Sequence, residues 1–196
     1  MEVGVIMKIT VYGGASPFVN QKYLDTAYEL GKELAKRGHS LVYGGGARGL
    51  MGAVARGVHE EQGHILGISP RIFETVDGEL FEKCNEFIFT YSMRERKFLL
   101  EENGDAFVVT PGGAGTFEEL FEAFTLKQLQ QHNKAIVIFN MDGYYNTMHQ
   151  LLNEAIEQRF IREANLELFV VLNTVQEVLD YLENYKPNPL TNKYRG

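Results

Sequence analysis

Ala106-Phe107-Val108-Val109-Thr110-Pro111-Gly112-Gly113-Ala114-Gly115-Thr116-Phe117-Glu118-Glu119 joins an apolar run to a glycine-rich turn and then to a helical pattern. The run Ala106–Thr110 reads as a buried strand. Leu120-Phe121-Glu122-Ala123-Phe124-Thr125-Leu126 carries the apolar spacing of a helix. A strand that hands over to a helix through glycines exposes free backbone N–H groups at the positive end of the helix dipole, an arrangement suited to a phosphate. The spacing predicts a helix over 117–131, which puts Glu118 and Glu119 in its first turn.

The same alternation extends in both directions. Strands are predicted at Lys8–Tyr12, Ser40–Tyr43, Ile65–Ile68, Glu86–Thr90, Ala135–Phe139 and Phe169–Leu172. Helices are predicted between and after them, at Gln21–Arg37, Gly49–Glu61, Met93–Glu102, Tyr144–Gln158 and Val175–Glu183. Gly38 and Gly63 stand where helix C-caps should fall. Strict β/α alternation implies a parallel sheet covered on both faces. With right-handed crossovers this is an α/β fold, a Rossmann-like, doubly wound three-layer αβα sandwich in a single domain. Its core is expected over about 8–183, with a loose polar tail from Lys186. Met7 offers an alternative start that would leave Met1–Ile6 as a short extension.

Composition narrows the function classes. The 196 residues carry 19 basic and 26 acidic side chains, a net charge of −7. That balance argues against nucleic acid and membrane surfaces as partners, since both are bound through basic patches. No run is long and apolar enough for a membrane span, and no signal peptide is evident. The single cysteine, Cys84, cannot form an internal disulfide and suits a reducing, cytoplasmic setting. It reads as a bystander thiol.

Ligands in such sheets sit beyond the carboxyl ends of the strands. Four segments of unusual composition fall there: Gly13–Pro17, Gly44–Gly49, Tyr91–Lys97 and Pro111–Glu119. Gly44-Gly45-Gly46-Ala47-Arg48-Gly49 satisfies G-x-G-x-x-G, but no acidic residue follows in the His64–Ser69 window, so a dinucleotide site is disfavoured. The segment, with Gly45 and Gly46, reads as a glycine-lined wall of a nucleotide pocket. There is no P-loop. His59 and His64 are five apart across Gly63 and cannot share a helix face as zinc ligands. No metal site and no organic cofactor are expected.

Ser92 and Glu95 form an S-x-x-E capping box. Arg94, Arg96 and Lys97 then load cations onto a helix N-terminus, against the dipole. Arg94 reads as solvated, whereas Arg96 and Lys97 read as anion contacts. Thr116 and Glu119 form a second capping box, leaving Glu119 open between cap and catalyst. Thr125 interrupts an apolar stretch and faces its own helix, a ligand or a dimer partner.

The combination of Tyr43-Gly44-Gly45-Gly46, Gly49-Leu50-Met51-Gly52, Met93-x-x-Arg96-Lys97 and Pro111-Gly112-Gly113-x-Gly115-Thr116-x-x-Glu119 resembles the LONELY GUY family. These are cytokinin riboside 5′-monophosphate phosphoribohydrolases, long mislabelled lysine decarboxylases. The resemblance runs from about Lys8 to Ile161 and takes in Asp142-Gly143-Tyr144-Tyr145. It implies a homodimer that cleaves the N-glycosidic bond of an adenine-type nucleoside 5′-monophosphate, AMP included, to free base and ribose 5-phosphate. Arg96 and Glu119 fall on the family's catalytic positions. Lys97, Gly112, Gly113, Ala114, Gly115, Thr116, Phe117, Glu118 and Thr125 fall on its substrate-binding positions. The first loop departs from the family's usual Cys-Gly-Ser-Ser, reading Gly13-Gly14-Ala15-Ser16. A decarboxylase using pyridoxal phosphate needs a Schiff-base lysine, and Lys97 beside Arg96 reads instead as an anion contact. The competing expectation is a nucleotide or molybdenum-cofactor carrier on the same fold, without catalysis. A weaker one is an interaction module built on Phe117, Phe121 and Phe124.

Overall fold

The computed structural model describes residues 6–187. Expectations about the chain start and most of the tail beyond Lys186 lie outside the described residues. Seven strands form one parallel sheet: β1 (Lys8–Tyr12), β2 (Ser40–Tyr43), β3 (Ile65–Pro70), β4 (Glu86–Thr90), β5 (Ala106–Val109), β6 (Ala135–Phe139) and β7 (Val170–Leu172). Their spatial order is β4-β3-β2-β1-β5-β6-β7. The winding reverses at β1, and the crevice between β1 and β5 is the switch point where a ligand is expected.

Among the described residues six α-helices cover the sheet: α1 (Gln21–Lys36), α2 (Gly49–Glu60), α3 (Met93–Asn103), α4 (Ala114–Gln128), α5 (Asn146–Glu157) and α6 (Val175–Asn184). Alternate strand residues feed two cores. Ile9, Val11, Leu41, Ile65, Val108 and Val137 meet α1, α2 and α6 on one face. Val42, Ile68, Phe107, Val109, Ile136 and Ile138 meet Leu100 of α3, Leu120 of α4 and Met148 of α5 on the other. Both faces of the central strands are therefore apolar, as a doubly covered parallel sheet requires. Glycines bring α1 and α2 into close contact. A Cβ at Gly31 would stand 2.1 Å from the Val54 carbonyl oxygen, and one at Gly57 would stand 2.1 Å from that of Tyr28.

Two local expectations are corrected. Helix α4 begins at Ala114, with Gly113 as its N-cap and no side-chain cap. Thr116 and Glu119 therefore form no capping box, and Glu118 and Glu119 lie in the second turn. Gly115 sits inside the helix despite glycine's cost of about 1 kcal/mol there. At the end of α2 the left-handed residue is Gln62 (φ 58°), with Gly63 one step later. Gly63 is needed for space, because a Cβ there would meet that of Ala35 at 2.6 Å. The Ser92 cap holds: its Oγ accepts from Glu95 N at 3.1 Å, and Glu95 in turn accepts from Tyr91 N at 2.8 Å.

Lys127 of α4 is buried, donating to the Tyr185 hydroxyl at 3.0 Å. Burial pulls its pKa down to about 8. The unfolded chain then binds this proton more readily, so stability rises with pH between about 8 and the ordinary lysine value of about 10.4. Lys127→Met is expected to raise the melting temperature at neutral pH, by about 2–4 °C for each kcal/mol of relieved charge burial, and to flatten that alkaline rise. Thermal melts of both proteins across this pH range check it.

Candidate active site

The carboxyl ends of β1, β2, β3 and β5 open into one cavity of about 670 Å³. All four segments singled out above contribute to its wall: Gly13–Ser16, Gly44 with Gly46, Met93 with Arg96 and Lys97, and Pro111–Glu119 in part.

At its centre lies a buried ion pair. Arg96 Nη1 donates to Glu119 Oε1 at 2.8 Å, and both side chains are only 10% exposed. Arg96 Nε donates to the Ile68 carbonyl at 3.2 Å, at the end of β3. The guanidinium also dictates a residue on β2's loop. A Cβ on Gly44 would lie 2.1 Å from Arg96 Nη2, so glycine there makes room for the cation. Burial raises the pKa of Glu119, while Arg96 opposes that rise. Lys97 donates to Glu118 at 2.8 Å and reaches Glu122 at 3.0 Å.

The two glycine-rich loops have different amide inventories. At α2, Leu50 N donates to the Gly14 carbonyl at 2.8 Å and Met51 N to the same oxygen at 3.5 Å. The start of that helix is therefore already spent on protein. At α4, the first intrahelical bond is Phe117 N to Gly113 O, so the amides of Ala114, Gly115 and Thr116 precede it in the first turn, where helices lack internal acceptors. A Cβ at Gly113 or Gly115 would meet nothing within 4 Å, and both residues line the cavity. Neither has a positive φ. These two glycines keep the space above the helix N-terminus open. Gly112 differs, since a Cβ there would strike Thr116 Oγ1 at 2.1 Å.

The loops are stitched together. Gly14 N donates to Pro111 O at 2.9 Å, while Gly14 O takes the α2 amides. Two adjacent tyrosines hold the α4 loop from the far side. Tyr145 donates to Thr110 O at 2.7 Å and Tyr144 to Gly112 O at 2.6 Å. They follow a turn in which Asp142 (φ 52°) and Gly143 (φ 74°) both adopt the left-handed region.

Of the sequence-predicted contacts, Arg96, Glu119, Gly46, Lys97, Gly112, Gly113, Gly115, Thr116 and Glu118 line this cavity. The side chains of Ala114, Phe117 and Thr125, and Gly45, do not line it in the single chain. Gly45 (φ +77°) packs its α-carbon toward Phe87. Ala114 is exposed. Phe117 makes an edge contact with Tyr145. Thr125 is exposed on α4. The sequence missed Ser69, Glu79, Phe73 and Leu80 in the wall, and it did not read Arg48, inside the Gly44–Gly49 segment, or Tyr144 as contacts. The Asp-Gly pair before Tyr144 was the one signal available, as a turn at a strand end. Residues 71–85 reach the site because Ala47 N donates to Glu79 O at 2.8 Å and Phe81 N to Gly45 O at 2.9 Å. Among the described residues no group of three or more His, Cys, Asp or Glu is placed to hold a metal ion, and no helix is long and apolar enough to cross a membrane.

A Rossmann-like sheet with an open helix N-terminus and a buried Arg–Glu pair at its switch point defines a nucleotide-site protein of the α/β class. A family model described as "Possible lysine decarboxylase" matches residues 51–182. A cytokinin riboside 5′-monophosphate phosphoribohydrolase of Arabidopsis thaliana is 39% identical over 182 residues, covering 92% of this chain and 78% of the relative. A second from the same plant is 38% identical over 188 residues, covering 95% and 86%. The chain belongs to this phosphoribohydrolase family, the LONELY GUY family, whose family model carries the decarboxylase description. Solved structures share the fold at lower identity. The molybdenum cofactor carrier protein of Chlamydomonas reinhardtii superposes with a TM-score of 0.71 at 21% identity, over 91% of this chain and 97% of that one. The molybdenum cofactor binding protein of Rippkaea orientalis gives 0.69 at 18%, over 91% and 96%.

Gly115→Ala separates ligand space from fold. The substitution meets no protein atom and improves helix propensity, so the melting temperature is expected to hold or rise slightly. Nucleotide affinity is expected to fall by about tenfold or more, on the order of one lost charge-assisted bond. Thermal melts and calorimetry with AMP read the two effects separately.

Proposed function

We propose that this protein hydrolyses the N-glycosidic bond of adenine-type nucleoside 5′-monophosphates, N6-modified cytokinin nucleotides and/or AMP, releasing free base and ribose 5-phosphate. The observation that carries this reading is the buried Arg96–Glu119 pair in the same cavity as the open N-terminus of α4. The amides of Gly113–Thr116 would take the 5′-phosphate, with Lys97 at its side. Glu119 would stand at the sugar. As the C1′–N9 bond breaks, the bonding pair leaves with the base and C1′ gains oxocarbenium character, which an adjacent carboxylate stabilises. Glu119 or its field then directs water onto C1′, and the water proton passes on to the departing base. Arg96 fixes the carboxylate through its bond to Oε1 and is itself fixed by Ile68 O. The names of the relatives support the same reaction.

The lysine lining the cavity, Lys97, is held between two carboxylates, which disfavours Schiff-base chemistry there. We place the protein in the cytoplasm and as a homodimer. Thr125, exposed with Phe121 on α4, would then face the neighbouring copy. Light scattering on the purified protein is expected to give twice the chain mass.

Chromatography of reactions with AMP and with N6-isopentenyladenosine 5′-monophosphate is expected to show free base from at least one. Glu119→Gln should abolish release, by at least about a hundredfold on the scale of general acid–base contributions, with the fold intact. Nucleotide binding without base release from either substrate would support the carrier reading instead. Because Glu119 acts ionised and burial raises its pKa, activity is lost as pH falls through that raised value. The acid limb of kcat/KM is therefore expected above the ordinary glutamate value of about 4.3.

A further inference from the structure

Ser69 is the penultimate residue of β3, on the side of the cavity away from α4. It is only 2% exposed and lines the cavity. Ile68 beside it belongs to the core cluster that includes Leu100, so strand alternation turns Ser69 to the opposite face. No group among the described residues bonds its hydroxyl, yet the hydroxyl is not among the sealed, unsatisfied polar atoms. The residue borders the cavity. The same cavity wall carries the apolar side chains of Met51, Pro70, Phe73, Leu80 and Met93. Pro70 brings no N–H. Of the charged groups near this end, Arg96 is bonded to Glu119 and to the Ile68 carbonyl, and Arg48 and Glu79 pair with each other at 2.9 Å and reach solvent.

Three strand steps separate Ser69 on β3 from the phosphate end at β5, about 14 Å at ~4.8 Å per step. A nucleoside monophosphate laid out from the α4 amides, with its glycosidic bond near Glu119, brings its base to Ser69. A hydroxyl dried by a ligand that cannot bond it loses its hydrogen bonds to water without replacement. An apolar base substituent pressed against Ser69 would incur that loss, whereas the amino edge of adenine would satisfy it.

We infer that Ser69 is a specificity-determining residue, whose hydroxyl bonds the exocyclic amino edge of an unsubstituted adenine and sets this protein's preference toward AMP over nucleotides with apolar N6 groups. The inference rests on the nucleotide reading of the cavity but not on turnover.

The test compares AMP, purine riboside 5′-monophosphate (which lacks the amino group) and N6-isopentenyladenosine 5′-monophosphate. In Ser69→Ala the AMP-to-purine-riboside ratio of kcat/KM is expected to fall about three- to tenfold, the range of one neutral hydrogen bond. Ser69→Val, which fills the site with methyl groups, is expected to shift preference toward the isopentenyl nucleotide. The same ratios, read as dissociation constants by calorimetry in a Glu119→Gln background, make the outcome independent of catalysis. Equal changes for all three nucleotides, or no change, would overturn the role of Ser69. Absence of base release with the binding ratios shifted as expected would leave Ser69 standing and overturn the hydrolysis.

Discussion

The buried pair of Arg96 and Glu119 is the constraint around which the site is arranged. Two charges taken from water carry a desolvation cost that their attraction offsets only when the remaining hydrogen-bonding groups are satisfied. Here the guanidinium donates to Glu119 through Nη1 and to the carbonyl of Ile68 through Nε. Its bulk excludes a side chain from position 44. Its place in the first turn of α3 runs against the helix dipole, and Ser92 and Glu95 offset this by capping that end. A pair so expensive is a poor stability device. It makes sense where a carboxylate must be aimed and kept partly dry.

The two glycine-rich loops, alike in composition, divide along a simple line. The loop before α2 spends its amides on Gly14, so it is architecture. The loop before α4 leaves its first turn open, and two of its glycines have no packing reason to be glycine. Free N–H groups, rather than glycine content, separate an anion site from a tight turn.

Much of this was legible in the chain, because hydrophobic periodicity and strand–helix alternation are local. β1, β2, β4 and β6 fall where the pattern put them, and other boundaries shift by one to three residues. The α4 start was not legible. Gly115 and Pro111-Gly112-Gly113 look like loop, and a glycine in the first turn gives no local sign that the helix has begun. Arg96 and Glu119 were each visible as candidates, but their bond spans 23 positions and three elements, so local spacing suggested a cap for Glu119 instead. Ser69 and the wall from residues 71–85 carry no motif. They reach the site through the strand order and through backbone pairing with Gly45 and Ala47. The four expected contacts that fall outside the wall were carried by resemblance or by a run of neighbours, and helical geometry turns some of them away.

Gly14 joins three distant stretches of sequence through one peptide unit, its N–H to Pro111 and its carbonyl to Leu50 and Met51. A codon change can delete a side chain, but among the standard residues only proline deletes a backbone donor, and none deletes a carbonyl. The alignment of the loops is thus written in the part of the chain that mutation scarcely edits. Lineages can redraw the side chains around the base while the register between the phosphate cradle and the second glycine loop stays inherited.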